Sequence, residues 1–146
     1  DADGRKAAFF YRQGQSGLIE TDGIETIITK IGDEIYQIKK NLPIAVLIDR
    51  GTGSSGETIA IAFCGLPNTQ FFGEHTAGVS TSTQGFKLSD GANIVLATAV
   101  NVDRNGKIYP SGIKPNKKVT TENKIPPMNQ DKSINAALKW IERKFK

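Results

Sequence analysis

At 146 residues the chain is long enough for a domain with its own hydrophobic core, and 38% hydrophobic with 23% charged residues is an ordinary globular composition. The net charge of +4 comes from scattered Lys and Arg, which argues against nucleic acid as a partner; the densest basic stretch, Arg143-Lys144-Phe145-Lys146, suits the end of a helix, where cations complement the macrodipole. A single cysteine, Cys64, excludes an internal disulfide, no metal-ligand cluster or cofactor motif is visible, and no run nears the roughly 18 apolar residues that span a bilayer.

Residues 7–20 read as a hairpin, with apolar Ala7-Ala8-Phe9-Phe10-Tyr11, a Gly/Gln/Ser turn, then Leu18-Ile19. Residues 24–38 suit a helix by their isoleucine spacing and two strands by their isoleucine load and Gly32, so both remain open. Residues 43–49 are a short, nearly continuous apolar run, as in a strand buried on both faces. A glycine-rich turn at 51–56 follows, then a segment from Glu57 to Leu66 that is apolar on nearly every side, the pattern of an interior helix. Cys64 lies in that run and is expected to be a buried structural thiol. Residues 70–73 form a further short strand and 74–84 a polar loop. Antiparallel strands are expected at 85–88, 92–102 and 107–109, punctuated by Asp90-Gly91 and Asn105-Gly106 turns. A Pro-containing linker at 125–127 leads to a last helix with the stripe Ile134, Leu138, Ile141 and Phe145 and with Ala137 beside it, capped by Asp131 or Ser133.

The turn Gly51-Thr52-Gly53-Ser54-Ser55-Gly56-Glu57-Thr58 admits three readings. Ser54 and Glu57 match a capping box, in which hydroxyl and carboxylate satisfy the free N–H groups of a helix start. The spacing also matches a phosphate-binding loop, but Glu57 stands at the lysine position and would repel phosphate. The third reading is a nucleophile at a helix N-terminus. Hydroxyl attack on an amide carbonyl builds an oxyanion that needs N–H donors held in advance. A serine in this turn brings the hydroxyl, and the next residue's N–H brings one donor. The residues of the turn leave these readings open.

The surrounding motifs resemble one family, the tail-specific (C-terminal processing) serine peptidases. Residues 46–57 look like that family's strand and nucleophile turn. Phe72-Gly73-Glu74-His75-Thr76-Ala77-Gly78 is similar to its G-E-P-T-x-G loop, Leu88-Ser89-Asp90-Gly91 to its L-x-D-G turn, and Gly112-Ile113-Lys114-Pro115-Asn116 to its G-I-x-P-D motif. The resemblance lies in residues 43–119. It implies an α/β fold with a crotonase-like core, residues 1–146 forming the C-terminal portion of one peptidase catalytic domain. It also implies hydrolysis of polypeptides, with Ser54 as nucleophile and Ser55 as an oxyanion-hole N–H or fallback nucleophile. Val79 stands where members with a Ser-Lys dyad carry lysine, Lys87 is expected on a strand surface, and Asn116 replaces the usual aspartate. This resembles the tricorn-like branch, whose base is a histidine from an upstream segment. His75 is the one histidine in the chain and a candidate base; Gln84 is a candidate for orienting a base or substrate in the same loop. The expected partners are a polypeptide substrate and either an upstream part of the same protein or further copies of the chain. The start at Asp1, without Met, suggests a segment of a longer protein, and a secreted or cell-envelope bacterial setting is expected. The alternative is a non-catalytic domain of this fold that binds peptides or apolar ligands.

Overall fold

The computed structural model describes residues 4, 6–32, 41–120 and 127–145. It divides into two compact units, Asp1–Lys40 and Asn41–Lys146. The first is a three-stranded antiparallel sheet of β1 (Ala7–Arg12), β2 (Gln15–Glu20) and β3 (Glu25–Lys30) in sequential order. The hairpin expected at 7–20 is therefore present. Its Gln13-Gly14 turn holds both residues at positive φ, as a two-residue hairpin connection requires. Of the ambiguous stretch at 24–38, the first part is strand, and residues 33–38 lie outside the described residues. At Gly17 a Cβ would overlap the Thr26 carbonyl oxygen, so only glycine lets β3 approach β2 this closely.

The second unit is mixed α/β. Strand β4 (Ile44–Ile48) runs into helix α1 (Ser55–Phe63), which returns the chain to β5 (Thr69–Gly73), parallel to β4 in the register Ile44↔Thr69 to Ile48↔Gly73. A parallel pair needs such a crossover, because a tight turn can join only antiparallel strands. A short β8 (Lys117–Lys118) extends this sheet beside β5, giving the order β4-β5-β8. Between them lies an antiparallel hairpin of β6 (Thr81–Lys87) and β7 (Asn93–Val100), turned at Asp90-Gly91 as expected. Strand β6 begins at Thr81, so the polar loop read from the sequence as 74–84 closes at Ser80. The strand expected at 107–109 reduces to a single bridge, Val102↔Ile108.

Successive strand residues point to opposite faces, and β5 uses this with two adjacent phenylalanines. Phe71 joins Ile48, Ala60, Ile61, Cys64 and Ile113 in the core beneath α1. Phe72 has no solvent exposure, and its ring meets Trp140 of helix α2 (Lys132–Lys144) at 5.8 Å between centroids. The two helices thus cover opposite faces of one sheet. Asp131 caps α2, accepting from the N–H groups of Ser133 and Ile134 at 2.7 and 3.0 Å. The buried face of α2 follows the expected stripe in part: Ala137 beside it is buried and Ile134 and Ile141 are half-buried, but Leu138 is 50% and Phe145 67% exposed, and Ser133 is buried with them. Small residues let the helix close on the sheet while Trp140 fills the space against Phe72. Helix α1 is likewise one-sided, with Glu57, Ala60 and Ile61 buried and Ile59 64% exposed. In β4, Ile48 is buried while Leu47 is 45% exposed, so burial on both faces is incomplete at this strand.

Candidate active site

The turn that follows β4 is shaped by Asp49. Its Oδ1 accepts from the N–H groups of Gly51 and Thr52 and from the Thr52 hydroxyl at 2.9–3.1 Å, a side-chain mimic of a backbone turn. The chain then reaches Ser54 at φ 50° and ψ −119°, a conformation that glycine adopts freely and other residues do not. Holding a serine there costs on the order of 1–3 kcal/mol and persists only where the surroundings over-determine it. Ser54 is the N-cap of α1 by position, yet its side chain makes no cap hydrogen bond. The serine half of the capping box is therefore not used. The hydroxyl stays exposed at the C-terminal end of β4, and no hydrogen bond engages it among the described residues. Ser55 opens the helix, and its N–H belongs to the first turn, which has no intrahelical acceptor.

Glu57, in the first turn of α1, has no solvent exposure. Its carboxylate turns toward the loop between β5 and β6. Oε1 accepts from the Thr76 hydroxyl at 2.5 Å and the Gly78 N–H at 2.8 Å, and Oε2 accepts from the Val79 N–H at 2.7 Å. Burial by itself raises the pKa of this carboxyl. The bonds from Thr76, Gly78 and Val79, with a smaller one from the Ser54 N–H, outweigh that and leave it below the ordinary glutamate value. So Glu57 stands at the carboxylate position of the capping box, while the hydrogen bonds that chiefly hold it come from three donors of the distant loop. A buried, fully engaged carboxylate is also no place for a phosphate, which removes the phosphate-loop geometry.

The Thr76 hydroxyl works in both directions. While donating to Glu57 it accepts from the Ile113 N–H at 2.8 Å, and the Thr76 N–H donates to the Ile113 carbonyl at 3.2 Å. The approach is close enough to demand glycine on the facing turn: at Gly112, φ 87°, a Cβ would stand 2.6 Å from Thr76 Oγ1. A further bond, Ala77 N–H to the Thr52 carbonyl at 2.9 Å, ties the loop to the residue just before Gly53. Arg50 and Glu74 close the outer side with an ion pair at 3.0 Å.

The remaining sequence candidates separate from this centre. One ring nitrogen of His75 pairs with the Thr76 carbonyl at 2.8 Å, and no hydrogen bond joins it to Ser54 among the described residues. Gln84 lies on β6 opposite Leu96, exposed, rather than in the polar loop. Val79 is at the turn that carries Ser54: its Cγ2 and the Ala77 Cβ would each be 3.2 Å from a Cβ on Gly53. The position that matches the dyad lysine thus faces the turn and carries no base. Lys87 is exposed at the end of β6, as expected. Asn116 has a structural task, its Oδ1 accepting from the Phe71 N–H at 2.8 Å. Cys64 is buried in the core, and burial pushes its thiol pKa up, away from nucleophilic use. Thr76 and Asp49 had no assigned role in the sequence reading; only a hydroxyl or carboxylate in a motif hinted at one.

The family model for peptidase family S41 matches residues 2–119. The chain belongs to peptidase family S41. The tail-specific resemblance read from the four motifs is thereby confirmed, and the match reaches upstream through residues 2–42, which carry none of them. This S41 chain is 38% identical over 133 residues to the nisin-resistance protein of Lactococcus lactis subsp. lactis, covering 90% of the chain and 37% of that protein. It is 32% identical over 101 residues to the carboxy-terminal processing protease CtpA of Bacillus subtilis (strain 168), covering 67% of the chain and 22% of the protease. Among solved structures, a lipoprotein from Streptococcus agalactiae superposes with a TM-score of 0.55 at 31% identity, over 72% of the chain and 33% of the lipoprotein. The chain spans little more than a third, or less, of the length of each of these relatives.

Proposed function

We propose that this chain is the nucleophile-bearing part of a serine peptidase that cleaves polypeptides through an acyl-enzyme on Ser54. The observation that carries this reading is the Ser54 conformation, a strained torsion with an unengaged hydroxyl at the junction of strand and helix. The capping role that would otherwise explain the serine is not exercised there. In the proposed reaction Ser54 Oγ attacks the scissile carbonyl carbon, and its proton passes to a base. The oxyanion draws on the Ser55 N–H. The amine then leaves with a proton from the same base, and water hydrolyses the ester.

The base and the second oxyanion donor belong to residues upstream of this segment, following the tricorn-like pattern of an upstream histidine. Val79 in place of lysine and the engagement of His75 by the Thr76 carbonyl favour that source. His75 and Gln84 are secondary residues in this proposal, His75 lining the loop and Gln84 standing on the strand that leaves it. The parallel β4-β5-β8 sheet with α1 and α2 is read as the C-terminal portion of a crotonase-like core, and residues 1–146 as part of one catalytic domain. The upstream part of the protein, or a further copy, completes the site. A secreted or cell-envelope setting follows from the likeness to a lipoprotein.

The test is hydrolysis of casein by the full-length protein. Ser54→Ala is expected to lower kcat by about 10³-fold or more, while Ser55→Ala, which keeps the N–H, retains far more activity. Equal rates for Ser54→Ala and the wild type would sink the proposal. The absence of a base beside Ser54 among the described residues favours one other reading, a non-catalytic domain that binds peptides or apolar ligands. A full-length protein that never reacts with a fluorophosphonate would point there.

A further inference from the structure

We infer that Thr76 and Glu57 are positioning residues whose joint holds Ser54 in its strained conformation, and that this joint acts on turnover rather than on substrate affinity. The effect on turnover rests on the reading of Ser54 as nucleophile; the effect on conformation does not.

Ser54 is bracketed. On one side the Thr52 carbonyl accepts from the Ala77 N–H at 2.9 Å. On the other, Glu57 accepts from the Thr76 hydroxyl and from the N–H groups of Gly78 and Val79. One loop therefore grips the chain two residues before and three residues after the serine. Between those grips the backbone has little choice: Gly53 packs against Ala77 and Val79, and α1 begins at Ser55. A torsion of φ 50°, ψ −119° at a non-glycine residue survives only under such over-determination.

The loop is in turn anchored through a single atom. Thr76 Oγ1 is the donor to Glu57 and the acceptor for Ile113 N–H, so it joins the nucleophile helix, the β5–β6 loop and the turn at Gly112-Ile113. Thr76 is 4% exposed and reaches no solvent that could replace either partner. Removing the hydroxyl takes from Glu57 Oε1 one of its two donors, leaving only the Gly78 N–H, and strips the buried Ile113 N–H of its side-chain acceptor. The grip on Ser54 then loosens and the serine relaxes out of the strained region. The hydroxyl loses its aim while surfaces that bind the rest of a polypeptide are untouched.

The experiment is a double-mutant cycle on the full-length protein, read by thermal unfolding. Ser54→Gly removes the strain and is expected to raise Tm by about 2–6 °C in the wild-type background. In a Thr76→Val background, where the serine has already relaxed, it is expected to raise Tm by less than a third as much. Equal shifts in both backgrounds, or no rise in either, overturn the inference. If Thr76→Val does not fold, Glu57→Gln takes its place in the same cycle. The kinetic arm measures fluorophosphonate labelling and casein hydrolysis. Thr76→Val is expected to slow labelling at least tenfold and to lower kcat with KM within twofold, and Thr76→Ser to restore most of both. Unchanged labelling, or a change confined to KM, overturns it. A wild-type protein that never labels refutes the nucleophile reading alone, and the thermal cycle then decides the joint by itself.

Discussion

A carboxylate with no solvent contact normally loses its charge, because burial penalises the ionised form. Glu57 keeps its charge through donors that come from one short loop, and the strength of each bond depends on that charge. Replacing it with glutamine preserves shape but puts an amide NH2 where an acceptor is required. One of the Gly78 and Val79 N–H groups then faces a donor. Glu57→Gln is expected to destabilise the folded protein by about 2–4 kcal/mol, read as a lower urea midpoint at unchanged slope. A midpoint equal to that of the wild type would mean the loop finds other partners. The sequence identified Glu57 as a helix-start residue, which it is, but not its long-range duty. The capping box is local, whereas Thr76 is 19 residues from Glu57 and 37 from Ile113 in the chain. The torsion of Ser54 was equally illegible, since no residue-type rule places a serine at positive φ.

At the level of elements, the close pairing of the end of β5 with the end of β4 depends on Gly73. It sits at φ 117°, and a Cβ there would collide with the Ile48 carbonyl oxygen, the same oxygen that accepts from the Glu74 N–H at 2.9 Å. Gly73→Ala combines a forbidden torsion with a backbone overlap and is expected to cost about 3 kcal/mol or more, seen as a drop in Tm. The Asp131 cap of α2 is milder, and Asp131→Ala should cost about 1 kcal/mol. That cap was readable because a side-chain acceptor two and three residues before its donors is a local pattern. The buried face of α2 was legible only in part. Periodicity placed Ala137 there, but it also selected Leu138 and Phe145, whereas closeness of approach favoured Ser133 against the sheet, with Trp140 carrying the contact to Phe72. The strand–turn–helix around Ser54 was legible for the same reason as the cap: its apolar run, glycines and helix start are contiguous.

For the molecule as a whole, titrating groups bound the range of pH in which the fold is fully stable. Glu57 lies below its ordinary value of 4.5 and Asp103 below its ordinary value of 3.8. For Asp103 the main cause is the bond from the Tyr109 hydroxyl, at 2.7 Å. A depressed folded pKa gives stability that is complete above the unfolded value and is lost as pH falls through the folded one, so the loss begins below about 4.5. Tyr109 is displaced the other way. Burial raises its pKa first, and the bonds with Asp103 and Cys64 add to it. A raised folded pKa gives stability that is complete below the unfolded value, 10.0, and is lost as pH rises beyond it. Urea midpoints are therefore expected to fall both below about pH 4.5 and above about pH 10. Tyr109→Phe should flatten the alkaline limb and, because its hydroxyl is what chiefly lowers Asp103, also remove the Asp103 share of the acid limb while leaving the Glu57 share; an unaltered alkaline limb would refute its assignment to Tyr109.

Within that acid limb one joint does not titrate. Asn116 stands where the motif it resembles has an aspartate, and it holds the N–H of Phe71 with a neutral amide oxygen. An amide accepts equally well at any pH, so the fastening between the Gly112-Ile113 turn and β5 is blind to acid while the Glu57 centre is not. Acidification should thus release the loop around Ser54 before it frees the edge of the sheet. In Asn116→Asp that order would blur, because each fastening would then be a carboxylate that acid can protonate.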